Sequence, residues 1–273
     1  MKVFDGIMIC TDLDGTLINS DKKISKENLD AIEYFKANGG YFTFITGRVP
    51  LTATYLCETI KPNIPFGCIN GAGIYDHKKQ EYLWTEKIDE GYMEILECVE
   101  REIPEMGIQI NTASGVYVAR DNPEMVIFYR ILGDNWSFCD YKTFNEPIVK
   151  IVFVDYDEAR MNKLIELLNS HPNSERFDFI RSEKSLYEIL PKGTGKGPVM
   201  LKMAELLGID RDKTVAIGDY NNDISMIKAA KLGVAVENAV PELKAVADHI
   251  TVSNDEHAIA RLIYDIADGT LKI

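Results

Sequence analysis

The feature that most constrains this chain is a short apolar run that stops at carboxylates. In Gly6-Ile-Met-Ile-Cys-Thr-Asp-Leu-Asp-Gly-Thr-Leu17, residues Ile7 to Cys10 read as a buried strand of a parallel sheet. Where that strand should end it delivers Asp12 and Asp14, and Gly15 then allows a tight turn. Open α/β sheets bind ligands beyond the carboxyl ends of their strands, so both acids stand where chemistry is expected. Two residues along an extended strand point the same way, which lets Asp12 and Asp14 share one pocket. The plainer reading of the stretch is an Asp-Gly turn with solvated acids. Its weight comes from what other strands deliver.

The rhythm continues. Ser25 reads as the N-cap of a helix over Glu27–Ala37, stopped by Asn38-Gly39-Gly40. Tyr41–Ile45 is a second buried strand, ending in Thr46-Gly47-Arg48, and Pro50 opens a helix to about Ile60. Phe66–Ile69 is a third strand, ending in Asn70-Gly71-Ala72-Gly73. This βαβαβ order predicts the first half of a doubly wound parallel sheet.

The pattern then changes. Gly73–Asp76 and Glu81–Trp84 flank a hairpin turn, and Asp89 begins an amphipathic helix to about Glu102. Strands are expected at Ile108–Asn111, Val116–Arg120, Ile148–Asp155, Phe177–Ile180 and Leu186–Leu190, with helices at Met125–Leu132 and Glu158–Asn169. Strands grouped with helices on one face predict an α+β insert over residues 83–189. The α/β rhythm returns with a helix at Lys196–Leu207 and a strand at Thr214–Ile217 that ends in Gly218-Asp-Tyr-Asn-Asn-Asp223. Strands at Gly233–Val236 and His249–Val252 follow, with helices to Ala230, over Glu242–Ala247 and over Glu256–Ala267. The fold class is therefore α/β: a parallel-sheet core of residues 1–82 and 190–273, interrupted by an α+β domain.

Charge and composition exclude several function classes. A formal net charge of −13 disfavours a broad nucleic-acid surface and an anionic membrane surface, both of which need many Lys and Arg contacts. An anionic small substrate would need a metal or local cations. The five cysteines are widely spaced, odd in number and without a C-x-x-C, which suits a reducing cytoplasm rather than a disulfide framework. Lys2 precedes only a short apolar run broken by Asp5, so no signal peptide is expected. No stretch approaches the ~20 apolar residues of a membrane span. His77, His171, His249 and His257 are scattered without metal spacing, and Trp84 and Trp136 read as packing.

Asp12-Leu-Asp-Gly-Thr-Leu17, Ile45-Thr-Gly-Arg48, Lys196-Gly197 and Gly218-Asp-Tyr-Asn-Asn-Asp223, in this order around the insert, resemble the haloacid dehalogenase-like superfamily of phosphohydrolases. The resemblance is to its Cof-like branch with an α/β cap, and it spans essentially the whole chain. It implies a Mg²⁺-dependent phosphatase acting on a small phosphorylated metabolite through an aspartyl-phosphate. By that resemblance Asp12 is the nucleophile and Asp14 the acid and base. The metal falls to Asp12, the Asp14 backbone carbonyl and Asp219, with Asp223 binding directly or through water. Thr46, Gly47, Lys196 and Asn222 contact the phosphate, Arg48 and Asn70 lie near the pocket, and Thr11, Gly15 and Thr16 shape the loop. The inserted domain closes over the pocket and chooses the substrate, with sugar phosphates, pyridoxal phosphate and flavin mononucleotide all compatible.

Taken singly, several of these residues have plainer readings. Thr46 is also a strand-ending hydroxyl, and Asp219 and Asp223 an N-cap and a first-turn acid. Lys192 competes with Lys196 in Lys192-Gly-Thr-Gly-Lys196; Lys196 is preferred because Gly197 and a helix follow, and the run lacks P-loop spacing. Two other functions fit part of the pattern. A phosphomutase or phosphotransferase would use the same intermediate. A receiver-like signalling module would also phosphorylate an Asp beside a Thr and a Lys, but would lack Asp14 and the insert. The expected partner is a small metabolite, without nucleic acid or membrane, for a monomer or homodimer.

Overall fold

The computed structural model describes residues 3–273, apart from the side chain of Ile127. Lys2, in the N-terminal run read above, lies outside them. The leading apolar run is strand β1 (Met8–Thr11), with all four residues buried. Ser25 caps α1 (Lys26–Ala37), its side chain accepting from the Asn28 N–H at 3.3 Å. β2 (Tyr41–Phe44) runs parallel to β1, from Met8 opposite Tyr41 to Thr11 opposite Phe44. The helix expected from Pro50 to Ile60 is two short ones, α2 (Pro50–Ala53) and α3 (Leu56–Ile60). Between them the Thr54 hydroxyl donates to the Pro50 carbonyl at 2.7 Å, a side-chain bond that competes with helix continuation.

The third strand departs from expectation. β3 (Phe66–Cys68) meets β2's extension through a single Ile45–Gly67 bridge and otherwise pairs antiparallel with β4 (Gly73–Asp76). β5 (Glu81–Thr85) completes this three-stranded sheet. Asn63 explains the change. Its side-chain oxygen accepts from the Phe42 N–H at 2.8 Å and its amide donates to the Gly40 carbonyl at 2.9 Å, doing the work of a neighbouring strand. Pro62 and Pro65, on either side of it, have no N–H to offer a ladder.

The chain forms two compact units, one of residues up to 84 with 195–273, the other of residues 85–194. The second holds α4 (Tyr92–Glu102), β6 (Gly107–Thr112), β7 (Val116–Arg120) and α5 (Val126–Leu132). Then come β8 (Ser137–Phe138), β9 (Ile148–Val154), α6 (Glu158–Ser170), β10 (Phe177–Glu183) and β11 (Leu186–Pro191). Its six strands lie in the order β10-β11-β9-β6-β7-β8. Alternate residues of β6 and β9 (Ile108, Ile110, Ile151, Phe153) pack with Ile95, Leu96 and Val99 of α4 and Met161, Leu164 and Leu168 of α6. β11 belongs to this sheet through Pro191, so the division falls after Thr194 rather than at residue 189. The two-residue β8 is too short to leave an alternating pattern.

The first unit resumes with α7 (Lys196–Leu207), β12 (Thr214–Gly218), α8 (Ile224–Ala229) and β13 (Leu232–Ala235). α9 (Pro241–Lys244), β14 (His249–Ile250) and α10 (Ala258–Ala267) complete it. The parallel sheet has the order β14-β13-β12-β1-β2, and α1 packs on α10. The last part of the chain thus inserts β12 directly beside β1. Among the described residues no helix is long and apolar enough to cross a membrane, and the five cysteines are free.

Candidate active site

β1 and β12 end side by side, Thr11 opposite Ile217, and the Asp12 N–H still donates to the Ile217 carbonyl at 2.9 Å. Asp12 therefore leaves the sheet beside the Gly218-Asp219 turn. Lys196, the first residue of α7, is 1 % exposed. Its Nζ lies 2.6 Å from Asp12 Oδ1 and 2.5 Å from Asp223 Oδ1. The second Asp223 oxygen accepts from the N–H groups of Asp219 and Tyr220, at 3.0 and 3.1 Å, and so closes the loop after β12. The Thr16 hydroxyl donates to Asp219 Oδ1 at 2.8 Å. One oxygen from each of Asp12, Asp219 and Asp223 falls within 4.8 Å of the others. Gly15 permits this approach: its φ is +85°, and a Cβ there would strike the Asp219 carboxylate.

Three carboxylates against one ammonium leave an excess of negative charge. Burial pushes the Asp12 carboxyl well above its ordinary range, and the charges of Asp223 and Asp219 add to this while Lys196 opposes it. Burial and Asp223 push Asp219 up to about 6, against the Thr16 hydrogen bond. Burial works against the charge on Lys196, yet Asp12 and Asp223 hold its pKa above the usual lysine value. Hard oxygen donors with surplus negative charge fit a divalent cation such as Mg²⁺. The donor set therefore suits the ion that the sequence implied.

A second group gathers at the end of β2. The Thr46 N–H donates to the Gly67 carbonyl, and the Thr46 carbonyl accepts from the Asn70 N–H, both at 3.0 Å. Thr46 Oγ1 accepts from the Arg48 N–H at 3.2 Å. Asn70 is fully buried, and its Oδ1 accepts from Asn222 Nδ2 at 3.0 Å. A Cβ at Gly47 would meet the Asn70 side chain at 2.9 Å. Thr46, Gly47, Asn70 and Asn222 thus meet around one bend.

The Asp14 side chain goes elsewhere. Its carboxylate stands outside the three-acid group and takes two hydrogen bonds from Arg48, Nε at 2.9 Å and Nη2 at 2.7 Å. Arg48 also donates to Tyr55 Oη at 3.2 Å and the Thr52 carbonyl at 3.3 Å. Asp12 and Asp14 therefore face different partners, because the chain has left extended geometry by Asp14. Lys192 pairs with Asp178 at 3.1 Å in the second unit, so of the two lysines it is Lys196 that meets Asp12.

Sequence reasoning missed three supports. Asn238 Nδ2 donates to the Gly15 carbonyl at 2.8 Å, the Ser225 hydroxyl accepts from the Gly197 N–H at 3.0 Å, and Tyr55 backs Arg48. Asn238 was findable, since it follows β13 as Asp219 follows β12. Ser225 sits on the short α8 and Tyr55 in the turn between α2 and α3, with no comparable signal.

Comparisons with known proteins place the chain in a family. The haloacid dehalogenase-like hydrolase family matches residues 9–263, and the chain belongs to that family. It is 30% identical to the 5-amino-6-(5-phospho-D-ribitylamino)uracil phosphatase YcsE of Bacillus subtilis, covering 94% of each chain. It is 26% identical to the phosphatase YwpJ of the same organism, over 94% of this chain and 98% of that one. The structure is similar to that of a haloacid dehalogenase-like hydrolase from Bacteroides thetaiotaomicron, with a TM-score of 0.82, 25% identity, and coverage of 95% and 99%.

Proposed function

We propose that this chain, a phosphoric monoester hydrolase, is a Mg²⁺-dependent phosphatase that cleaves a small phosphorylated metabolite through an aspartyl-phosphate. The observation that carries the reading is the buried meeting of Lys196 with Asp12 and Asp223 beside Asp219. The phosphatase names of the relatives support the reaction class. Asp12, Asp219 and Asp223, with the Asp14 backbone carbonyl, would hold the ion. Bound there, it supplies charge that offsets the repulsion between a phosphomonoester dianion and an anionic nucleophile.

The chain's own residues do the rest. Asp12 forms a bond to phosphorus as the bond to the leaving oxygen breaks, and Asp14 gives that oxygen its proton. Asp14 then takes a proton from the water that attacks the same phosphorus, the Asp12–phosphorus bond breaks, and inorganic phosphate leaves. Lys196 favours negative charge on the phosphoryl oxygens. Thr46, Gly47 and Asn222 hold those oxygens, with Asn70 fixing Asn222 and Arg48 fixing Asp14. Residues 85–194 act as a cap that selects the substrate and excludes water. The free cysteines support a cytoplasmic setting.

A panel of phosphorylated metabolites, assayed for inorganic phosphate with and without Mg²⁺, tests this. Release should need the ion and be lost in Asp12→Asn. Phosphate release by chelated wild type or by Asp12→Asn would overturn it, as would transfer to another alcohol without phosphate release.

A further inference from the structure

The turn after β1 is closed by its own backbone. Asp14 and Ile18 form a bridge, and the Leu13 carbonyl accepts from the Ile18 N–H at 2.8 Å. Inside the turn stands Gly15 at φ +85°, the residue type with the widest choice of backbone angles. Its carbonyl accepts from outside the turn, from Asn238 Nδ2 at 2.8 Å. Asn238 is itself held, its Oδ1 accepting from the Asn254 N–H at 2.9 Å. Asn254 is buried, and its Nδ2 donates to the Ile18 carbonyl at 3.1 Å. Two asparagines from beyond β13 thus grip the turn at its tip and at its exit.

Asn238 fixes the peptide between Gly15 and Thr16, and Asp219 leans on both of those residues. The Thr16 hydroxyl donates to Asp219 Oδ1, and the Asp219 carboxylate packs where a Gly15 Cβ would be. The Asp14 carbonyl, offered to the ion in the proposed function, belongs to the preceding peptide. From the other side, the Val240 N–H donates to the Asp219 carbonyl at 2.9 Å and the Val236 N–H to the Gly218 carbonyl at 3.2 Å. Residues 236–240 therefore reach Asp219 twice, through their own backbone and through Gly15. Lys196 bonds to Asp12 and Asp223, so the third acid depends on this segment and the turn. All of these residues belong to the first unit.

We infer that Asn238 is a positioning residue: by fixing the Gly15–Thr16 peptide it sets the Asp219 carboxylate in place for a divalent cation. This rests on the Mg²⁺-dependent reading of the site. Without Asn238, Gly15 can turn its carbonyl to water, and the ion itself must then order Thr16 and Asp219, at a cost in affinity. A plainer role, tying the loop down for stability alone, would be shared by Ser20. Its N–H and hydroxyl both donate to Asp255, each at 2.8 Å, farther along the same loop.

Calorimetry of Mg²⁺ binding to the full chain, without substrate, compares wild type with Asn238→Ala, Ser20→Ala and Thr16→Val. Asn238 is exposed, so its truncation leaves no cavity. Asn238→Ala should bind the ion about fivefold or more weakly, the worth of one hydrogen bond. Ser20→Ala should bind it as wild type does. Thr16→Val should weaken binding, and adding Asn238→Ala to it should cost less than Asn238→Ala alone, because both act on one carboxylate. Unchanged affinity in Asn238→Ala, an equal loss in Ser20→Ala, or fully additive losses overturn the inference. If wild type binds no Mg²⁺, the metal reading fails instead, and hydrogen exchange of the ion-free chain decides. Faster exchange over residues 218–223 in Asn238→Ala sustains the positioning of Asp219, and unchanged exchange there, whatever happens in residues 13–20, overturns it.

Discussion

The two sheets treat buried charge in opposite ways. At the carboxyl ends of β1 and β12, Asp12, Asp219 and Asp223 surround the single cation of Lys196, and the cluster keeps surplus negative charge. On β9 and β11 of the second unit, Lys150 and Glu188 balance each other, with the amides of Gln109 and Asn111 beside them. At the ends of β1 and β12, burial and like charge together raise the pKa values of Asp12 and Asp219. The comparison predicts where each unit breaks.

Asp12→Asn should have the largest effect, a loss of turnover of about a thousandfold or more with cooperative unfolding retained. Phosphate-release kinetics and thermal melting check both halves. Next is Lys196→Met, which leaves Asp12 and Asp223 buried beside each other without a cation. It should cost about 3–5 kcal/mol of stability, read by urea unfolding. Lys150→Met should cost a similar or smaller amount, by removing that cation from beside the buried Glu188. Pairing it with Glu188→Leu should recover most of that loss, because the second charge goes too. No pair with Lys196 can do the same, since two acids depend on it. Equal rescue in both units would break the comparison.

The pH response sharpens it. The Asp219 carboxyl is raised from 3.8 to about 6 in the folded chain. Its contribution to stability is therefore complete below the unfolded value and is lost as pH rises through about 6. That loss is at most about 3 kcal/mol by linkage. Metal-free wild type should lose stability over that window relative to Asp219→Asn, measured by melting at several pH values. Mg²⁺ affinity should run the other way and rise with pH, because the ion needs the ionised carboxylate. Arg48→Lys should have the smallest effect, a loss of about tenfold or less in kcat/KM. It gives up the two-point grip on Asp14 but keeps the charge.

Much of this was legible in the sequence because buried parallel strands are apolar runs and their last residues face the ligand edge. Cys10-Thr-Asp12 and Ile217-Gly-Asp219 announced themselves that way, and α7 begins at Lys196 as its Gly-rich lead-in implied. Phe66–Cys68 was read as a parallel strand because an apolar run does not name its partner; Asn63 and two prolines decided that. Arg48 carried no mark of its bond to Asp14 either, since the partner of a long side chain is settled by its rotamer. The unpartnered, buried Gln109 Oε1 and Asn111 Nδ2 were invisible for a related reason. Alternation puts them on one face, but only coordinates show which hydrogen bonds go unmade.

The pairing of β1 with β12 has a consequence for how the chain is made. Thr16 and Asp219 are bonded across 203 positions, and Lys196 and Asp12 across 184. On the ribosome, the amino-terminal strands emerge long before their central neighbour exists. Residues 85–194 are contiguous and can settle first, while β1 waits with an open edge. A nascent chain arrested before Thr214 would carry Asp12 on an unfinished sheet, so the three acids can gather only once β12 and the loop after it have emerged.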